Sequence, residues 1–242
     1  ANITLERGWN PDCVAAVTLV NDVLQRQIDR RSGSIIILDN DGEVARAGLS
    51  EIKGVTVTFP SAGNLRRSED PYQVSISFLG LVSQLKGVLP GSLLTHREQA
   101  AKAALSQTRS LTVGILNSDE TQTPLSVSGF GGFSATERRV PVDMVEDIEL
   151  LDLSNIKLQH GAQDRSRLSA WESDVKTASA AHEPVAWERA FRTLVITYWV
   201  GSRYQTQLHL TCFPISRVDV GGTSEVEYAV DKARFVVLPL AP

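Results

Sequence analysis

The side chains that can do chemistry are few and scattered. The four histidines, His96, His160, His182 and His209, include no pair at the spacing that puts two metal ligands on one helix face. Each reads as a surface or capping residue. Cys13 and Cys212 cannot make a four-cysteine zinc site, and they lack the close pair of a mixed cysteine–histidine site. Both are expected to be buried free thiols, since an unpaired cysteine behaves as a small hydrophobe. A Gly-x-Ser-x-Gly nucleophile elbow is absent. The run Gly129-Phe130-Gly131-Gly132-Phe133 lacks the third glycine of a dinucleotide fingerprint and the Gly-Lys-Ser/Thr of a phosphate loop. It reads as a tight bend with two aromatic anchors.

Carboxylates offer two further chances. Asp39, Asp41 and Glu43 suggest a calcium loop, but glycine falls at position four (Gly42) rather than six, and Ser50 stands where a glutamate is needed. Asp39-Asn40-Asp41-Gly42 is therefore expected to be a plain turn. Asp143, Glu146, Asp147, Glu149 and Asp152 could supply the paired acids of glycoside hydrolysis. Threaded among Val145, Ile148, Leu150 and Leu151, they read better as a solvated negative face. Neither a catalytic residue, a metal nor a cofactor is expected from these patterns.

The elements that would position these residues are mostly strands. Asn10 as cap, Pro11 at the first turn and an apolar stripe of Cys13, Val17, Val20, Leu24 and Ile28 predict an amphipathic helix over 11–31. Ile35–Leu38 and Glu43–Arg46 flank the Asp39–Gly42 turn as a hairpin. Val55, Val57 and Phe59, then Tyr72, Val74, Ile76 and Phe78, alternate with Thr, Ser and Gln, predicting a second hairpin. Its tip, Ser61–Asp70, is long and charged. A short helix is expected over 95–105, strands over 111–116 and 125–127, and a helix over 166–180 with Leu168, Trp171 and Val175 on one face. Phe191–Val200 and Tyr204–Phe213 form a hairpin across Gly201-Ser202, and Glu225–Lys232 alternates again. The fold class is mainly β with flanking helices, an antiparallel sandwich or barrel. Without repeat, low-complexity tract or linker, residues 1–242 read as one domain.

Composition narrows the function classes. A formal charge of −4 and a pI near 5.6 argue against a strongly basic nucleic-acid surface. No apolar stretch approaches the roughly 20 residues of a membrane-spanning helix. The opening residues Ala-Asn-Ile-Thr-Leu-Glu lack the charged and apolar regions of a signal peptide, which points to a reducing cytoplasm or a particle assembled there.

The layout resembles bacteriophage virion structural proteins of tail tubes and baseplates. The resemblance is carried by Val55–Phe78 with its Arg66-Arg67 loop, by the helix from Pro11 to Arg31, and by the β-rich C-terminal quarter. It implies a non-enzymatic subunit that forms rings or tubes with copies of itself and other structural subunits, in the virion. Arg66, Arg67, Glu69 and Asp70 would then contact a neighbouring subunit. Asp143, Glu146, Asp147, Glu149 and Asp152 would line an acidic lumen that repels passing DNA. A capsid or shell β-barrel subunit is one alternative. A carbohydrate-binding or glycan-hydrolysing domain is another, with Trp9, Trp171, Trp187 or Trp199 as stacking platforms.

Overall fold

The computed structural model describes residues 2–8, 20–24, 33–39, 42–59, 61, 73–83, 86–87, 109–141, 147–181, 183–200 and 204–237. Fourteen strands, all antiparallel in their pairings, make two seven-stranded sheets among these residues.

The first sheet contains β1 (Asn2–Gly8), β2 (Gly33–Asp39), β3 (Gly42–Phe59), β4 (Gln73–Val82), β5 (Lys86–Gly87), β9 (Phe133–Pro141) and β10 (Asp147–Leu153). Its main path runs β1-β4-β3-β9-β10, with β2 and β5 beside the first half of β3. The expected first hairpin is present, with Asp39 opposite Gly42 as its last pair. The second is present too, with Val55 opposite Phe78 and Val57 opposite Ile76. What differs is continuity. The strands expected at 43–46 and 55–59 are halves of the single strand β3. They are joined through a bulge in which the register jumps from Ser50–Leu81 to Gly54–Leu79. Glu51 takes a positive φ of 49° there, and Gly80 faces the bulge so closely that a Cβ would stand 2.9 Å from the Ser50 carbonyl oxygen. The bulge therefore needs glycine opposite it.

The second sheet orders as β7 (Gln122–Leu125), β6 (Arg109–Leu116), β12 (Arg192–Val200), β13 (Tyr204–Val220), β14 (Thr223–Val237), β11 (Ile156–His160) and β8 (Val127–Phe130). Val200 pairs with Tyr204, so three residues rather than two join β12 to β13. The glycine-rich run behaves as expected. Phe130 and Phe133 are buried at the ends of β8 and β9, and Gly132 between them has φ 84°. Because β8 and β9 belong to different sheets, this bend carries the chain from one to the other.

Both sheets contribute to one hydrophobic cluster. Val55, Val57, Phe59 and Ile76 come from the first, and Leu194, Ile196, Leu208, Leu210 and Phe235 from the second. Phe59 links them, with its ring 5.9 Å from Phe133 and 5.6 Å from Phe235. Residues 20–24 are helical, and Val20, Val23 and Leu24 are buried in the same cluster. Asn21 fixes this segment to the sheet. Its Nδ2 donates to the Phe235 carbonyl at 2.7 Å, and its Oδ1 accepts from the Phe235 N–H at 2.8 Å. On that side β11 reaches only from Ser224 to Tyr228, so the carboxamide satisfies a stretch of β14 where β11 does not. The rest of the helix expected over 11–31, and the helix expected over 95–105, lie outside the described residues.

Helix α1 (Arg165–Ala181) follows a 3-10 turn at Ala162–Asp164, and α2 (Pro184–Ala190) starts at its proline. Leu168, Trp171 and Ala178 are the buried stripe of α1, with Val175 packed partly against the core. Trp171 lies 5.3 Å from the Tyr228 ring and donates its indole N–H to the Ala190 carbonyl at 2.6 Å. The Arg192 guanidinium lies over the same indole, 5.1 Å from its centroid, and ion-pairs with Asp174.

Candidate functional site

The residues singled out by sequence fall in three places. Arg66, Arg67, Glu69 and Asp70 lie outside the described residues, as do Asp143 and Glu146. Asp147 and Glu149 are on β10, opposite Pro141 and Arg139. Asp152 is exposed on the same strand and ion-paired with Arg138 of β9. Among the described pairings β10 meets only β9, so these acids mark an edge of the first sheet. Charge on an edge strand discourages indiscriminate strand addition, which gives this stretch a physical role in addition to any other. Of the tryptophans, Trp171 is fully buried, Trp199 donates to Thr112 Oγ1, and Trp187 stacks with Phe191 and Phe213. Cys212 is a buried free thiol, and burial raises its pKa.

His160 corrects the expectation of a surface or capping histidine. It is fully buried at the end of β11, and a chain of hydrogen bonds explains how. Its Nε2 lies 2.8 Å from the Tyr228 hydroxyl, and its Nδ1 lies 3.3 Å from Asp164 Oδ2. The same carboxylate oxygen accepts the Ser126 backbone N–H at 2.7 Å. A neutral ring satisfies both contacts, with Nδ1–H donating to the carboxylate and Nε2 accepting from the phenol. Desolvation lowers the pKa of His160 against the opposing pull of Asp164, and burial holds the Tyr228 hydroxyl protonated. An Asp–His–hydroxyl series can relay a proton, but this one is enclosed at every member, so it acts as a buried brace. The alternation Ile156-Lys157-Leu158-Gln159-His160 carried the signal that was missed, because it puts His160 on the apolar side.

Beside this brace, β13 runs on past the end of β12, while β14 keeps β11 on its other side over Ser224–Tyr228. β12 accompanies β13 only as far as Cys212, and the pairing with β14 then continues to Val220–Thr223. Pro214 sits just after β12 ends, where a missing N–H breaks no ladder on that side. Gly221 and Gly222, with φ of 57° and 92°, close the arm in a two-residue turn. Arg217 holds it against α1. Its guanidinium grips both oxygens of Asp219 at 2.9 and 3.1 Å and donates to Ser169 Oγ at 3.1 Å. Ile215, Val218 and Val220 on this arm are 47%, 58% and 66% exposed. The sequence signal was Gly221-Gly222 between two alternating runs.

A cavity of about 660 Å³ opens elsewhere on the second sheet, lined by Leu24, Leu116, Leu151, Thr193, His209, Thr211, Asp231, Lys232, Ala233 and Arg234. Strand register builds its floor. Leu116, Thr193, Thr211 and Lys232 are successive cross-strand partners, and so are Gly114, Val195, His209 and Arg234 in the next row. The register slip between Thr211 and Cys212 leaves Asp231 as the extra residue of a bulge at its rim. His209 is half-buried, and its Nε2 lies 2.9 Å from Gln207 Oε1. The Gln207 amide in turn contacts Thr197 Oγ1 at 3.3 Å. Burial, with a smaller contribution from the Arg234 charge, lowers the pKa of His209. The hydroxyl-and-amide side of β13 is therefore covered in part: Gln207 is buried on it, as is its β12 partner Thr197.

Among the described residues no cluster of three or more His, Cys, Asp or Glu side chains could hold a metal ion, and no helix is long and apolar enough to cross a membrane. Comparison with protein-family models, curated proteins and solved structures gave no match.

Proposed function

We propose that this chain is a non-enzymatic structural subunit that assembles with copies of itself into a ring or tube, of the kind found in bacteriophage tails and baseplates. The observation that carries the reading is the outer arm of β13 and β14. Three large aliphatic side chains stand in solvent on a strand pair that Arg217, Asp219 and Ser169 hold rigid. Covering apolar surface is favourable by about 25 cal/mol per Å², and a pre-ordered arm loses little entropy when a neighbour covers it.

Charge supplies the orientation. Glu225 is the cross-strand partner of Val218, and Glu227 that of Ser216, so acids flank the exposed valine. On this reading they are the counter-charges for a neighbouring copy's Arg66 and Arg67, which would set register more than affinity. The architecture that goes with it is a β-sandwich flanked by helices, including the amphipathic helix over 11–31, with Val55–Phe78 and its Arg66-Arg67 loop as its extended hairpin. Asp152, which strand alternation puts on the opposite face of β10 from Leu151 and Leu153, would face a lumen.

Native mass by light scattering tests the proposal. Wild-type protein is expected to form assemblies well above the 26.4 kDa chain mass. Val218→Thr combined with Val220→Thr, which keeps β-branched shape while removing apolar surface, should shift the population toward the single chain with its melting temperature little changed. Rising salt should weaken assembly by screening the arginine–glutamate pairs. A wild-type chain that stays monomeric and folded at high concentration would sink the proposal.

A further inference from the structure

We propose that the cavity over β6, β12, β13 and β14 is a binding site for a small amphipathic monoanion, a carboxylate on an apolar body. Its size is that of a ligand site: about 660 Å³, within the usual range of roughly 300–1,000 Å³. Its chemistry is divided in the way such a ligand requires. Leu24, Leu116 and Leu151 supply an apolar wall, while Lys232 and Arg234 bring two cations from alternate positions of β14. Among the described residues neither cation has an ion-pair partner.

The charge count selects the valence. Asp231 offsets one of the two cations. His209 adds no charge at neutral pH, because burial and the neighbouring Arg234 favour its neutral form. One net positive charge remains, which complements one negative group. Between the two ends, Thr193 and Thr211 face each other across strands with their hydroxyls 3.4 Å apart, too long for a strong mutual bond. Both remain able to donate to a carboxylate oxygen. The floor is preformed, since Gln207 fixes His209 and is itself fixed by Thr197.

The inference does not rest on self-assembly, and it can be tested on the full chain in either state. The probes are octanoate, octanol and octyltrimethylammonium, titrated calorimetrically under matched conditions. Octanoate is expected to bind one to one and more tightly than either control. Lys232→Gln with Arg234→Gln should weaken octanoate by about tenfold or more, since a charge-assisted hydrogen bond contributes roughly 1.5–3 kcal/mol. Both positions are exposed, so the variant should fold, and its melting temperature checks that. In parallel, the His209 ring resonances of the wild type should shift during titration while those of the buried His160 stay fixed. Absence of octanoate binding at millimolar concentration would overturn the proposal. So would equal binding of octanol, or unchanged affinity in a folded double variant.

Discussion

His160 is held by what its two nitrogens touch, and that makes its charge state part of the stability of the fold. Its pKa is lowered by desolvation and by Arg217, with Asp164 pulling the other way, and the first influence is the largest. In the unfolded chain the ring takes a proton near its ordinary value of 6.5. Below that pH the unfolded state binds more protons, so stability is complete above about 6.5 and declines as pH falls toward the depressed folded value. Urea unfolding should show this loss between pH 7.5 and 5.5, with a smaller slope in His160→Gln. The half-buried His209 is shifted in the same direction and accounts for part of what remains. Identical slopes for wild type and variant would mean that His160 is not the buried neutral group described. Independently of pH, Tyr228→Phe should cost about 1–3 kcal/mol, because it strands the imidazole acceptor. Little of this network was legible beforehand. His160, Asp164 and Tyr228 are typical polar residues in sequence, and only β11–β14 pairing and the turn before α1 bring them together.

Elements were more legible than the contacts between them. Pattern located β4, β6, β12 and the inner part of β14, and the Leu168–Trp171–Val175 spacing located α1 to within a residue at each end. Bulges escaped because they are set by the opposite strand: nothing in Ser50–Gly54 says that Gly80 will face it. The docking of residues 20–24 shows the same division. Val20 and Leu24 were readable as an apolar stripe, but Asn21 looked like an ordinary polar residue beside it. Its carboxamide bonds both backbone groups of Phe235. Asn21→Ala should therefore destabilise the protein by about 2–3 kcal/mol in chemical denaturation, as two partly buried backbone groups lose partners. Asn21→Asp, which keeps the acceptor but loses the donor, should recover only part. A loss below about 0.5 kcal/mol for alanine would show that water replaces the carboxamide without cost.

At the scale of the whole molecule, the order in which the chain visits its sheets carries a consequence for how the protein is made. Strands β1 to β5 belong to the first sheet, β6 to β8 to the second, β9 and β10 to the first again, and β11 to β14 to the second. A ribosome that has released residues up to 87 has delivered a first sheet still missing its β9–β10 side. That half of β3 stays an open template until residues 133–153 emerge. By then part of the second sheet is already threaded between, and its centre, β12 to β14, is still to come. Neither layer is finished before the other is begun, so the nascent chain must carry unpaired strand edges through most of its synthesis. Once complete, the layers should open together. Amides of Val57 on β3 and Leu210 on β13 are expected to exchange with the same free energy in native-state hydrogen exchange. Two distinct plateaus would show that the layers part independently. The same interleaving puts a premature stop between residues 153 and 192 in a distinctive position: it leaves every strand of the first sheet without β12, β13 and β14 to cover its apolar side.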